Sequence, residues 1–260
     1  MSDAPQVVVL HSPELLATSV AARLITRLID AQAARGAASA VLTGGGLGAQ
    51  VLGAVCDSPA RDAVDWRRVD IWWGDERYVP ADDPERNDRQ ARAALLEALP
   101  LDPARVHAFA ASDGRYGSDA EAAAAAYADE LAAAAQPEDH GPVPTFDVLM
   151  LGVGEEGHVA SIFPESPATY DARSVVAVHG SPKPPPIRLS LTFSAIGAAH
   201  EVWLCAAGAA KAAAVSMALT GAGPAQVPAA GARGRSRTLW LLDTAAASKL
   251  PRDLARLPLA

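Results

Sequence analysis

Two patterns of hydrophobic and polar positions alternate along this chain. Short apolar runs, bounded by glycine, proline or polar residues, predict strands, and longer stretches with apolar residues at helical spacing predict helices. The first apolar run, 7–10, is followed by Ser12 and Pro13. This pair is typical of a helix N-cap and first helical residue, so we predict a helix over 14–35.

The same alternation continues to residue 242. We predict strands at 7–10, 40–42, 69–73, 146–150, 174–178, 188–191, 202–206 and 238–242, and helices at 14–35, 47–56, 89–99, 118–135 and 209–219. Strands that alternate with helices imply parallel β-α-β units. The sequence therefore predicts a layered α/β fold. Without an internal repeat or a convincing linker, we expect a single domain over 1–260.

Composition and charge narrow the function classes. Half of the 260 residues are apolar, which is enough for a sizeable core, and the net charge of −8 argues against a nucleic-acid partner. A small anionic ligand needs only a few local cations. Cys56 and Cys205 are far apart and form no C-x-x-C pair, so we expect no zinc cluster or disulfide framework. The acidic N-terminus and its short apolar run predict no signal peptide, no membrane partner and a cytoplasmic protein.

We expect the binding and catalytic residues in the loops that follow the strands, because ligands of open α/β sheets bind at the carboxyl ends of strands. The first such loop is Thr43-Gly44-Gly45-Gly46-Leu47-Gly48. Glycine lets backbone amides approach a ligand closely, and the helix that follows presents free N–H groups to an anion. The plainer alternative is a tight turn between strand and helix.

The second loop follows the strand at 69–73 and contains Asp75, Glu76 and Arg77. Three charged residues at a strand end are costly to bury unless they are paired or used. Arg77 can hold a phosphate or carboxylate through two parallel hydrogen bonds. Asp75 and Glu76 can orient it or bind sugar hydroxyls. The alternative is a solvated charged turn.

The third loop, 151–158, has the spacing G-x-G-x-x-G after a strand, which is typical of a dinucleotide-binding turn. That function needs a following helix, which Pro164 would interrupt, and an acidic residue after the next strand, which is missing. Carboxylates in the loop would also repel a pyrophosphate. We therefore predict that the loop presents His158 as a proton acceptor, with Glu156 setting its orientation and tautomer.

The remaining cations lie in the last third of the chain. Lys183 and Arg188 flank a run of prolines, and Lys211 stands early in a predicted helix. A lysine there opposes the helix dipole, which is easier to explain if an anion binds nearby. A rigid connector with solvated charges is the alternative for the proline loop. The sequence has no H-E-x-x-H metal motif and no G-x-x-x-x-G-K-[ST] phosphate loop.

Together these segments resemble the 6-phosphogluconolactonase family, in the family's order and over essentially the whole chain. The matching segments are Thr43-Gly44-Gly45, Trp73-Gly74-Asp75-Glu76-Arg77-Tyr78-Val79-Pro80, Leu151-Gly152-Val153-Gly154-Glu155-Glu156-Gly157-His158, Ala160-Ser161-Ile162-Phe163-Pro164, Lys183-Pro184 and Arg188-Leu189-Ser190-Leu191-Thr192. The resemblance implies a Rossmann-like layered sandwich with a mostly parallel sheet flanked by helices.

The resemblance also implies a function: hydrolysis of 6-phospho-D-glucono-1,5-lactone to 6-phosphogluconate in the oxidative pentose phosphate pathway, without a metal or organic cofactor. The expected partner is this phosphorylated sugar lactone alone, bound by a monomer or small homo-oligomer. We expect His158 to act as general base, with Glu156 and Asp75 as further catalytic residues. The expected substrate-binding residues are Thr43, Gly44, Gly45, Arg77, Asn87, Lys183, Arg188 and Lys211.

Three positions depart from the family's pattern. Glu156 stands where the family usually has Asp, and Val159 where it often has Thr; Arg86 replaces the Ser that tends to precede Asn87. Glu156 keeps a carboxylate one methylene further out, so a supporting role survives with altered geometry. Val159 removes a hydroxyl together with any role it had.

Two other functions have the same fold. Glucosamine-6-phosphate deaminases also have a glycine loop that ends in histidine, but their next segment usually runs toward Phe-Asn-Glu-Pro, whereas Ser161-Ile162-Phe163-Pro164 stands here. Non-catalytic sugar-phosphate-binding regulators usually add a helix-turn-helix, for which the predicted elements leave no room. The Asp75-Glu76-Arg77 segment further favours the lactonase.

Overall fold

A computed structural model describes residues 5–139 and 141–254, and it contains two sheets and six α-helices in those residues. The strands are β1 (Gln6–Leu10), β2 (Ala38–Leu42), β3 (Val69–Trp73), β4 (Asp75–Arg77), β5 (Val148–Gly152), β6 (Val175–Val178), β7 (Arg188–Leu191), β8 (Glu201–Ala206) and β9 (Arg237–Asp243). The helices are α1 (Pro13–Arg35), α2 (Gly45–Asp57), α3 (Asn87–Ala94), α4 (Ala120–Ala134), α5 (Phe193–Ile196) and α6 (Ala212–Leu219).

The main sheet has six parallel strands in the order β1-β9-β8-β5-β2-β3. Its central strands are nearly continuous apolar runs because helices cover both faces of a parallel sheet. Trp72, Trp73, Trp203 and Trp240 are among the largest fully buried side chains. The predicted α/β fold with a mostly parallel sheet is confirmed.

A second sheet is antiparallel, in the order β4-β7-β6, and the sequence did not predict it. Strand β4 is the charged segment Asp75–Arg77, whose residues have no local strand signal. It is a strand only because it pairs with β7, more than a hundred residues further along the chain. Helix α4 packs against β6 and β7.

Most predicted elements occur within one to three residues of their predicted bounds. Ser12 caps α1, with its Oγ accepting from Leu15 N at 3.3 Å, and Gly36 ends that helix at a φ of +80°. The helix predicted at 89–99 is shorter, since α3 stops at Ala94 and only a 3₁₀ turn follows. The helix predicted at 209–219 likewise begins as a 3₁₀ turn. None of the helices in the described residues is long and apolar enough to cross a membrane.

Candidate active site

Four loops meet at the carboxyl edge of the main sheet because the strands they follow, β8, β5, β2 and β3, are neighbours. Between them lies a cavity of about 370 Å³. Among its lining residues are nine of the eleven predicted site residues: Thr43, Gly44, Gly45, Asp75, Arg77, Asn87, His158, Arg188 and Lys211. The other two, Glu156 and Lys183, lie behind His158 and not among the lining residues.

The glycine loop after β2 forms one wall of the cavity. Thr43 Oγ1 accepts a hydrogen bond from Gly152 N at 3.1 Å, which ties this loop to the end of β5. A Cβ atom on Gly44 would lie 1.8 Å from Asn87 Oδ1, so only glycine permits this approach. Gly45 begins α2 with a φ of +82°, a conformation that favours glycine.

The second wall comes from β4 and β7, whose register sets which side chains face the cavity. Asp75 pairs with Ser190 and Arg77 with Arg188, and directly paired residues of antiparallel strands share a face. Both arginines line the cavity. Like charges placed opposite each other in this way are destabilising unless an anion compensates them.

Glu76 alternates to the other face of β4 and is fully buried. Its carboxylate accepts hydrogen bonds from the backbone N–H groups of Arg77, Asn87 and Asp88, and thereby caps the N-terminus of α3. Burial raises the pKa of Glu76, against the effect of Arg86 and of these hydrogen bonds. Glu76 therefore holds Asn87 in place and does not contact the cavity, contrary to one of the roles that the sequence suggested.

Asp75 is held by two neighbours. Its Oδ2 accepts from Ser161 Oγ at 2.7 Å, and Asn87 Nδ2 donates to its backbone carbonyl at 2.8 Å. Ser161 is fully buried, and no local sequence signal marked it as part of the site. Because Asn87 Nδ2 faces these oxygens, its Oδ1 points toward Gly44 and has no donor in the described residues.

The arginines differ in how they are held. Arg188 Nε and Nη2 donate to the carbonyls of Pro185, Pro184 and Lys183 at 2.9 to 3.1 Å, so the proline loop orients this guanidinium. Burial lowers the pKa of Arg188 below its usual value; Asp75, Glu85 and Glu76 oppose this, and Arg77 adds to it. Arg77 Nη1 donates to the carbonyl of Glu85, while its buried Nε has no partner in the described residues.

The loop that carries His158 contains no helix: residues 153–166, all of them described, form turns. Gly154 N donates to the His158 carbonyl at 2.9 Å and closes the loop. Gly157 has a φ of +87°, and a Cβ there would approach Val227 Cγ1 to 2.5 Å. A Cβ on Gly154 would lie 1.9 Å from His158 Nδ1. These glycines thus shape the loop around the imidazole.

The His158 ring is 20 % exposed and packs on Phe163, with ring centroids 4.6 Å apart. Its Nδ1 lies 3.1 Å from Glu156 Oε1, but the two atoms are not aligned as a hydrogen bond, so the contact is mainly electrostatic. Burial lowers the pKa of His158; Glu156 and Asp75 oppose this, and Lys183 adds to it. The ring is therefore neutral near pH 7, as a proton acceptor must be.

Glu156 bridges His158 and Lys183. Its Oε2 accepts from Lys183 Nζ at 2.8 Å. Burial opposes the charge on Glu156, but the Lys183 hydrogen bond and the nearby positive charges lower its pKa below the usual value. Lys183 is thus directed at Glu156, and its role as a direct substrate contact stays a prediction.

Lys211 lies in the 3₁₀ turn between β8 and α6. It lines the cavity and makes no ion pair with the described residues. Burial lowers the pKa of Lys211, and Lys183 acts in the same direction, while Glu155 and Glu156 oppose them.

Two departures from the family's pattern also have a structural setting. Arg86 is buried, donates to the Phe109 carbonyl at 2.8 Å and lies 3.5 Å from Glu76 Oε2, so it serves as a counter-ion for the buried cap of α3. Val159 is fully buried and apolar. Neither side chain lines the cavity.

Comparisons with known proteins find similarity over nearly the whole chain. The family described as glucosamine-6-phosphate isomerases/6-phosphogluconolactonase matches residues 11–240. A 6-phosphogluconolactonase of Streptomyces coelicolor is 67 % identical over 98 % of this chain and 98 % of its own length, and one of Mycobacterium tuberculosis is 52 % identical over 92 % and 95 %.

Solved structures are similar as well. The 6-phosphogluconolactonase of Trypanosoma brucei superimposes with a TM-score of 0.81 at 29 % identity, covering 96 % of this chain and 100 % of the other. A monomeric glucosamine-6-phosphate deaminase has a TM-score of 0.76 at 18 % identity, covering 94 % and 99 %. At that identity the second likeness concerns the fold alone.

Proposed function

The chain belongs to the glucosamine-6-phosphate isomerase/6-phosphogluconolactonase family and is a lactone-hydrolysing enzyme, and we propose that it hydrolyses 6-phospho-D-glucono-1,5-lactone to 6-phosphogluconate. The observation that carries the proposal is the placement of His158, backed by Glu156, inside a cavity with surplus positive charge. In the cell this reaction would be the lactone-opening step of the oxidative pentose phosphate pathway.

The charge of the cavity matches a phosphorylated substrate. Its charged lining residues are Asp75, Arg77, Arg188 and Lys211, a formal net charge of +2 in a chain whose net charge is −8. A phosphate monoester carries about −1.5 to −2 at neutral pH. The paired arginines of β4 and β7 provide two guanidinium groups on one face, where a bound anion relieves their mutual repulsion.

His158 is the proposed general base. As water attacks the lactone carbonyl carbon, the imidazole takes one proton from it, and a tetrahedral intermediate forms with its negative charge on the former carbonyl oxygen. Collapse of the intermediate breaks the bond to the ring oxygen, which receives the proton from the imidazolium. The products are a carboxylic acid, ionised at neutral pH, and a hydroxyl group, and the histidine returns to its neutral form.

Glu156 supports this cycle from behind the ring. A carboxylate near Nδ1 favours the tautomer with the proton on that nitrogen, which leaves Nε2 as the base. It also stabilises the imidazolium that forms during attack. Lys183 shares the same carboxylate and limits this effect. The longer side chain of Glu156 thus takes the place of the family's usual Asp.

The remaining lining residues bind and orient the sugar. Asn87 lines the cavity and is fixed by its hydrogen bond to the Asp75 carbonyl, so it shapes the wall against which the sugar binds. Asp75, held by Ser161, accepts from another or balances the arginines. The amides and the Thr43 hydroxyl of the glycine loop contact the substrate's oxygen atoms.

A real-time assay tests the proposal. We expect the wild-type enzyme to accelerate loss of freshly generated 6-phosphogluconolactone above its spontaneous hydrolysis, and His158→Ala to lose about 10²–10⁴-fold in kcat. Arg77→Ala should mainly raise KM, whereas Arg67→Ala, which removes an exposed arginine outside the cavity, should change neither constant. No acceleration by the wild-type enzyme would refute the proposed function.

A further inference from the structure

The turn that carries Lys211 is fastened to a buried carboxylate at the end of the last strand. Asp243, the final residue of β9, is 2 % exposed. Both of its carboxylate oxygens lie 3.0 Å from Gly208 N, and Oδ1 also accepts from Ala246 N at 2.7 Å. Among the described residues the carboxylate is satisfied by backbone N–H donors alone.

Two hydrogen bonds in series connect this carboxylate to the backbone of Lys211. Asp243 accepts from Gly208 N, and the Gly208 carbonyl accepts from Lys211 N at 3.1 Å. Gly208 has a φ of +93°, a conformation that a residue with a side chain rarely adopts, and no heavy atom lies within 4 Å of the place of its Cβ. Glycine is therefore required here by the path of the backbone and not by lack of space.

The direction of that path matters because Lys211 is a cation of the cavity without an ion-pair partner in the described residues. Its ammonium group sits at the end of a flexible stem, so the position of its Cα decides which part of the cavity it reaches. A buried carboxylate is costly unless its oxygens accept hydrogen bonds, and here the backbone N–H groups of Gly208 and Ala246 supply them. These hydrogen bonds fix the turn relative to the end of β9.

We propose that Asp243 is a positioning residue, which holds the Gly208–Lys211 turn so that Lys211 meets the negative charge of the substrate. Asp243 does not line the cavity and acts only through Gly208. The inference rests on the proposed function, since it takes a phosphorylated lactone as the ligand.

Asp243→Asn tests the inference because it keeps the shape of the side chain but replaces one accepting oxygen with a donor. We expect about a 5- to 10-fold loss of kcat/KM for the phosphorylated lactone, since one hydrogen bond to a charged group is disrupted. Lys211→Met should lose at least as much. The double variant should be no worse than Lys211→Met alone, since two residues acting through one contact are not additive.

Asp147→Asn is the matched control. Asp147 is equally buried and accepts from Ser39 N and from Arg35, but it precedes β5 at the amino edge of the sheet, away from the cavity. This variant should lower the melting temperature and leave kcat/KM unchanged. If Asp243→Asn also lowers only the melting temperature, or if its effect multiplies with that of Lys211→Met, Asp243 is not a positioning residue.

Binding of 6-phosphogluconate, measured by calorimetry, provides a readout that needs no turnover. Asp243→Asn and Lys211→Met should weaken it by similar factors, and the double variant no further. Should the wild-type enzyme fail to open the lactone, the proposed function falls, while the binding data still decide whether Asp243 acts through Lys211. Unchanged binding in both single variants would overturn the inference.

Discussion

Replacing Gly154 with alanine tests how strictly the loop geometry positions the His158 ring, the proposed general base. The new Cβ would lie 1.9 Å from His158 Nδ1, whereas ordinary contacts begin at 3.4 Å, so the ring has to move by the difference of 1.5 Å. Gly154 has no positive φ, so alanine adds no backbone strain there. The three heavy atoms nearest to the new Cβ all belong to the His158 imidazole, so the change acts first on that ring.

A displacement of about 1 Å of a reacting group can cost about 10²-fold in rate. We expect Gly154→Ala to lose about that factor in kcat, with little effect on the melting temperature because the ring can turn toward the open cavity. The assay follows loss of the phosphorylated lactone in real time, with the spontaneous reaction subtracted. In the His158→Ala background the same substitution should have no further effect, since the ring it displaces is gone.

Gly53→Ala is the control for a glycine-to-alanine change as such. Gly53 lies within α2, and its Cβ would meet no heavy atom within 4 Å. This variant should keep its activity and gain up to about 1 kcal/mol in stability from the helix propensity of alanine. A correctly folded Gly154→Ala enzyme with wild-type kcat would show that the position of the ring does not limit the reaction.

Three further predictions concern charge and close contact. Glu156→Gln removes a charge that raises the pKa of His158, so the acidic limb of the plot of kcat/KM against pH should move to lower pH. An unchanged acidic limb would show that Glu156 does not act on the His158 ring. Gly44→Ala places a Cβ 1.8 Å from Asn87 Oδ1 and should raise KM in steady-state assays, unless Asn87 makes no contact with substrate. Burial opposes the charge on His107, but its two acidic neighbours raise its pKa above the usual value. The stability that comes from its charge is therefore complete below about pH 6.5 and lost as pH rises through the higher folded-state pKa. In denaturant titrations, the stability difference between wild type and His107→Gln should shrink at alkaline pH to the part that comes from stacking of the ring on Trp72.

Local patterns in the sequence were sufficient for the α/β class and for the family, and both predictions are confirmed by the sheet topology and by the comparisons. Apolar runs and helical periodicity depend on neighbouring residues, so they can be recognised without the fold. The sequence also showed that the glycine loop before His158 is not a dinucleotide-binding turn, because Pro164 interrupts the helix that such a turn requires. The roles of the individual site residues stay predictions.

Only the tertiary structure showed which charged residues face the cavity and which are buried. In the sequence, Asp75, Glu76 and Arg77 are three adjacent charged residues with equal claims to the site. Pairing of β4 with β7 turns Glu76 into the interior, where it caps α3, and sets Arg77 opposite Arg188. Such pairing joins segments more than a hundred residues apart. A polar strand of three residues has no hydrophobic periodicity from which it could be predicted.

The contact between Asp243 and Gly208 has the same origin. An aspartate at the end of a final strand is an ordinary residue in the sequence. Its contact with Gly208 exists only because β9 lies beside β8, which brings the Asp243 carboxylate next to the Gly208 N–H group. The sequence by itself determined which chemical groups are available and which loops carry them, because those depend on local composition. The distances between those groups depend on the order of strands in the sheet, which only long-range packing establishes.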